Sequence, residues 1–205
     1  MRQYASFKAR HPECVLFFRM GDFYEMFDDD ARLVHRVLGL TLTERSSGIP
    51  MAGLPYHQLD AYLRRMVDAG HRVAVCDQVQ DPKEAKGVVE RAVTRVITPG
   101  TLVEESLLDD ASANHLAAVA FSGDGTDDPV GVAVIEVSTG AFAIFDRPLR
   151  DVADELARRD VHELLYCDVG AGDPPERVQR LIDRLAKPAT ARPSWHYRRD
   201  EALAA

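Results

Sequence analysis

The apolar positions of this 205-residue chain change period several times, and each change marks an element. Tyr4 and Phe7 stand three apart ahead of His11-Pro12, which predicts a short opening helix stopped before the proline. Val15-Leu16-Phe17-Phe18 is an unbroken apolar run, as expected of a strand buried on both faces. Leu33, Val34, Val37 and Leu38 mark one side of a second helix. Asp28-Asp29-Asp30 fall in its first turn, where acids suit the helix dipole, and Gly39 is its expected stop. Leu59, Tyr62, Leu63, Met66 and Val67 repeat with helical spacing and predict a third helix that ends at Gly70. Residues 72–79 and 92–98 read as strands. Strands alternating with helices predict an α/β domain on a mixed sheet.

The pattern then changes. Pro99-Gly100 and Glu104-Glu105 mark the way out of the first domain, expected over residues 1–108, and residues 109–114 read as a linker. A second domain is expected over residues 115–205. Residues 115–121, 130–137 and 141–145 look like three strands joined by a turn-rich loop at 122–129 and a tight turn at Ser138-Thr139-Gly140. A helix over 151–159, a strand over 163–166 and a helical stripe of Val178, Leu181, Ile182 and Leu185 follow. Residues 200–205 favour helix and carry no stop signal, so the second domain is expected to be truncated.

Composition narrows the class. Hydrophobic residues make up 46% and charged residues 28%, ordinary values for a folded domain. No run approaches the roughly 18 apolar residues of a membrane span. The opening residues lack a signal peptide's apolar core. Cys14, Cys76 and Cys167 are odd in number and far apart, which fits buried thiols in a reducing cytosol rather than zinc or disulfides. The net charge of −8 is concentrated in the second half, and the first half is close to neutral. Neither half resembles an electrostatic DNA clamp, so any affinity of this chain alone for DNA is expected to be weak.

The chemistry concentrates in Arg19-Met-Gly-Asp-Phe-Tyr-Glu-Met-Phe27. If this stretch is extended, Phe23 and Glu25 share a face, because strand side chains alternate. An apolar wedge then lies beside a carboxylate. Such a wedge can enter between base steps from the minor groove and kink a duplex, and the acid can query a base without a partner. Tyr24 points the other way, toward the core. The segment 48–53, with glycine and proline near both ends, reads as a tight loop near the wedge. Its Met51 fits either a minor-groove contact or a core anchor. Arg45, Ser46 and Ser47 suit phosphate contacts. Arg19, Lys83, Lys86 and Arg91 read as surface charges.

A rival reading takes Asp22, Glu25, Asp28, Asp29 and Asp30 as a Mg²⁺ site for phosphodiester cleavage. A dipole-matched helix start is the simpler account of the three consecutive acids. Another rival is a protein-interaction module that no longer binds DNA. The histidines show no metal-ligand spacing, and no Walker A phosphate loop occurs, so neither metal nor nucleotide is expected on this chain.

Residues 19–27 resemble the mismatch-sensing motif of the MutS family of DNA mismatch-repair proteins. Three further blocks resemble the family in order: Ile49-Pro-Met-Ala-Gly-Leu-Pro-Tyr-His57, Val75-Cys-Asp-Gln-Val79 and Val96-Ile-Thr-Pro-Gly-Thr101. The loop between Thr43 and Ile49 is short for the family. The resemblance implies a mixed-sheet mismatch-recognition domain followed by part of an RNase H-like connector. It implies that Phe23 stacks on a mispaired or unpaired base and that Glu25 hydrogen-bonds it. It implies no catalysis by this chain, with ATP and Mg²⁺ held by ATPase domains of the full-length parent. The implied partners are mismatched duplex DNA, MutL through the connector, and a second copy in a homodimer of the parent, in the bacterial cytoplasm.

Overall fold

Val15–Met20 forms the strand β1, and its Leu16, Phe17 and Phe18 are almost wholly buried, as the unbroken apolar run requires. The computed structural model describes residues 1–45, 48–80, 87–101, 113–123, 125–170 and 172–204. Contacts divide the chain into one unit built on Met1–Pro99 and another that takes the described residues from Gly100 on.

In the first unit, helix α1 (Arg2–Arg10) and β1 are followed by β2 (Phe23–Phe27), α2 (Asp28–Leu38), β3 (Thr43–Glu44) and β4 (Pro50–Pro55). A 3-10 turn at Tyr56–Gln58 leads into α3 (Leu59–Asp68), then β5 (Val73–Gln78) and β6 (Arg91–Ile97). The sheet order is β3-β4-β2-β1-β5-β6. The β1–β5 pair is parallel and the others antiparallel, so the sheet is mixed. Tyr4 and Phe7 of α1 pack on Leu16, Phe18, Phe27, Ala74 and Cys76, on one face. The other two helices lie against β2, β4 and β5 and bury Val34, Leu38, Leu63 and Met66.

The tight loop expected over 48–53 is a correction to the sequence reading. Most of that segment is β4, paired along its length with β2. Ahead of the strand, the Arg45 N–H bonds the Ile49 carbonyl at 2.9 Å. Pro50 and Pro55 sit at the two ends of the strand, where a missing N–H costs least, so proline bounds the strand rather than excluding it.

In the second unit, β7 (His115–Phe121), β8 (Pro129–Glu136) and β9 (Phe142–Pro148) form an antiparallel meander. Helix α4 (Leu149–Arg158), strand β10 (Val161–Cys167), helix α5 (Glu176–Leu185), strand β11 (Ala189–Arg192) and helix α6 (Arg199–Ala204) follow. The order is β11-β10-β7-β8-β9, with β10 parallel to β7 and β11 parallel to β10. Val119, Val132 and Leu164 meet Val152, Leu156, Val178 and Leu181 in its core. Glu163 is almost completely buried and accepts the Gly100 N–H at 3.0 Å and the Thr190 hydroxyl. A Cβ on residue 100 would come within 2.7 Å of Glu163 and Leu116, so only glycine fits there. Of the expected linker, residues 109–112 lie outside the described residues, and Asn114 is buried with its N–H on Glu136.

Candidate nucleic-acid interface

Gly21 turns the chain between β1 and β2 with φ +62°, a conformation that disfavours any Cβ. Arg19 braces this turn. Its guanidinium donates to the Gly21 carbonyl and lies 4.0 Å from the centre of the Tyr56 ring. The Tyr56 N–H closes on the Asp22 carbonyl at 2.9 Å. Arg19 is therefore committed to the turn, not free on the surface as its sequence context suggested.

Beyond the turn, Phe23 and Glu25 point to the same side of β2, as alternation requires. Phe23 is 48% exposed, a large fraction for a ring in a regular strand. Its cross-strand neighbours are Met20 and Pro55. Glu25 is half-buried between Phe18 and Gly53, where glycine offers no flanking side chain. Its Oε2 is buried and has no hydrogen-bond partner; the Arg45 Nη1 stands 3.7 Å away as an ion pair. Burial raises the Glu25 carboxyl above the ordinary glutamate value, and the Arg45 charge offsets part of that rise. Tyr24 faces the opposite side and is buried. Its hydroxyl donates to Asp77, and burial pushes the phenol up to about 12.

Arg45 also lies 5.6 Å from the Phe27 ring centre and 3.9 Å from the Met20 sulfur. Met51 opposes Phe27 in the β2–β4 ladder and packs, half-buried, against the cluster of Tyr4, Phe7, Phe18 and Phe27. Ser46, Ser47, Lys83 and Lys86 lie outside the described residues. Arg91 lies 4.9 Å from the Phe18 ring centre and donates to the Arg19 carbonyl and to Gln3 at 2.7 and 2.9 Å. Arg91, like Arg19, is a structural brace that local sequence did not reveal. The structure thus brings Phe23, Glu25 and Arg45 together on one open patch and sets Met51 deeper beside them.

Residues 1–106 match the family described as MutS domain I. The chain belongs to the MutS family. The DNA mismatch repair protein MutS of Pelotomaculum thermopropionicum is 43% identical, over 95% of this chain and 24% of its own length. The MutS of Symbiobacterium thermophilum is 48% identical over 84% of this chain and 20% of its own. That of Myxococcus xanthus is 45% identical over 93% and 21%. The chain spans about a quarter or less of the length of these relatives.

The MutS match contains all six strands of the first sheet. It also bears on the rival readings, neither of which finds support. Asp30 is buried and held by the Tyr4 hydroxyl, the Lys8 ammonium and the Leu16 N–H. Asp22, Glu25, Asp28 and Asp29 do not converge with it on a metal-sized point. Among the described residues the group with ligand-like proximity is His11, Glu13 and Cys14, and burial pushes that thiol up to about 11, which disfavours the metal-binding thiolate. A MutS-type interaction module without a DNA role likewise has no observation in its favour.

Proposed function

We propose that this chain recognises mismatched DNA for a MutS protein. Phe23 enters a weak base step from the minor groove and stacks on the mispaired or unpaired base, and Glu25 hydrogen-bonds that base. One observation carries this reading. An exposed aromatic ring and a half-buried carboxylate share one face of a strand paired on both sides. A mispaired step is cheaper to unstack than a paired one, so the wedge converts kinkability into preference. Arg45 and the serines beside it supply backbone contacts, and Met51 supports the patch from within.

The chain carries out no catalysis in this reading. ATP, Mg²⁺, homodimerisation and the engagement of MutL belong to the full-length parent, working in the cytoplasm. The second unit is the connector. Three antiparallel strands followed by two strands parallel to the first, in the order β11-β10-β7-β8-β9, support an RNase H-like assignment.

Fluorescence anisotropy at low salt tests the reading, because phosphate neutralisation is weak on a chain of net charge −8. The probes are a matched duplex, a duplex with one G·T pair and a duplex with one unpaired T. Tighter binding to the defective duplexes, lost in Phe23→Ala, is expected. Equal affinity for all three, repeated in the full-length parent, would sink the proposal.

A further inference from the structure

We propose that Arg45 is the positioning residue for Glu25, fixing which carboxylate oxygen is presented beside Phe23; this rests on the mismatch reading above. The two oxygens of Glu25 are unlike. Oε2 is buried, receives no hydrogen bond, and has only the Arg45 charge at 3.7 Å to hold it. In this proposal Oε1 is the oxygen presented to the open patch. An ion pair without a hydrogen bond orients a carboxylate by charge alone. Removing that charge frees the side chain to rotate and leaves its inner oxygen with no partner.

The surroundings single out Arg45 for this role. Opposite Glu25, β1 offers Phe18 and β4 offers Gly53, neither of them charged. Tyr24, next to it on β2, faces the other side of the sheet and is bonded to Asp77. Arg91 of β6 lies over Phe18 but is committed to Gln3 and to the carbonyls of Arg19 and Val89. Arg45 stands between β3 and β4, tied down by its own N–H to Ile49 and by its carbonyl to Gly48. These two bonds to the Arg45 backbone therefore fix where the charge stands, and glycine at position 53 leaves no neighbouring side chain to do the same work.

Two measurements on this chain decide the matter. The first is the titration of the Glu25 carboxyl carbon by NMR in the unaltered protein, Arg45→Met and Arg45→Lys. The midpoint is expected to rise in Arg45→Met and to return toward the starting value in Arg45→Lys, which keeps the charge. An unmoved midpoint in Arg45→Met overturns the proposal without reference to DNA. The second is the ratio of affinities for G·T-containing and matched duplex in Arg45→Met, Glu25→Gln and the double variant. Arg45→Met is expected to lower the ratio about fivefold, within the range for coupled neighbours, and to change it no further once Glu25 is Gln. Equal weakening on both duplexes in both backgrounds marks a phosphate contact only and overturns the positioning role. A shifted midpoint with no duplex preference in the unaltered chain or in the full-length parent supports the pairing and sinks the mismatch reading instead.

Discussion

The Tyr4 hydroxyl donates to the Asp30 carboxylate at 2.9 Å and ties the opening helix to the first turn of α2. The same carboxylate accepts the Leu16 N–H at 3.0 Å and the Lys8 ammonium at 2.8 Å. One acid thus joins two helices to β1. Asp30→Ala strands these donors, and each buried one left without a partner costs roughly 1–3 kcal/mol. The expected outcome is a clear fall in the urea midpoint with unchanged m-value, read by circular dichroism. Asp29→Ala, one residue away and exposed, is expected to leave the midpoint in place.

Phe23 contributes little to the fold because half its surface is already in water. Phe23→Ala is expected to change unfolding free energy by no more than about 0.5 kcal/mol, as for ordinary surface positions. Its effect on binding a G·T duplex is expected to be larger, on the order of the 1–3 kcal/mol of one base–aromatic stack. Denaturation and anisotropy on the same preparation separate the two. Equal binding of the G·T duplex by the variant and the unaltered chain would remove Phe23 from the interface.

Glu25 is held in a site that disfavours its charge, chiefly by burial. A carboxyl raised on folding contributes stability that is present below the usual glutamate range and lost as pH rises through the raised value. Glu25→Gln is therefore expected to be more stable than the unaltered chain at neutral pH. The advantage should shrink as pH falls into and below the usual range. Urea midpoints at several pH values check this, and a variant less stable at neutral pH contradicts it.

Glu136 behaves in the opposite sense. Hydrogen bonds from Thr139 and Ser138, including both backbone N–H groups, push its carboxyl down to about 2. A depressed carboxyl contributes stability that is present above the usual glutamate range and lost as pH falls through the depressed value. Glu136→Gln is expected to destabilise the second unit at neutral pH, with the difference closing toward pH 2. An unchanged difference across that window would mean the carboxylate's charge is irrelevant to the turn it caps.

Much of this fold was legible because its elements are periodic. β1 is an unbroken apolar run, and α3 keeps its helical spacing through Met66. β4 was missed because Pro50, Gly53 and Pro55 imitate a loop, while its pairing partner lies far back in the chain. Short β11 follows Pro188 and has no apolar alternation to announce it. Asp30 was read only as part of a dipole-matched helix start, yet it shares a helix side with Val34 and Leu38 at four-residue steps, and that spacing signals burial. Arg91 gave no such signal, since it bonds a carbonyl 72 residues away, and Arg19 leans on the ring of Tyr56, which its local sequence does not show. That Phe23 and Glu25 share a face was legible from alternation, whereas the Arg45 pairing depends on backbone bonds that the sequence does not state.

β2 lies inside its sheet, held by β1 along Phe23–Glu25 on one side and by β4 along Phe23–Phe27 on the other. Seen as a mechanical part, Phe23 is a tip on a mount clamped at both edges, and the turn behind it is latched by Arg19. Force on the ring spreads into the two neighbouring strands rather than bending one. In any contest of stiffness between this tip and a softer body pressed against it, the softer body deforms first.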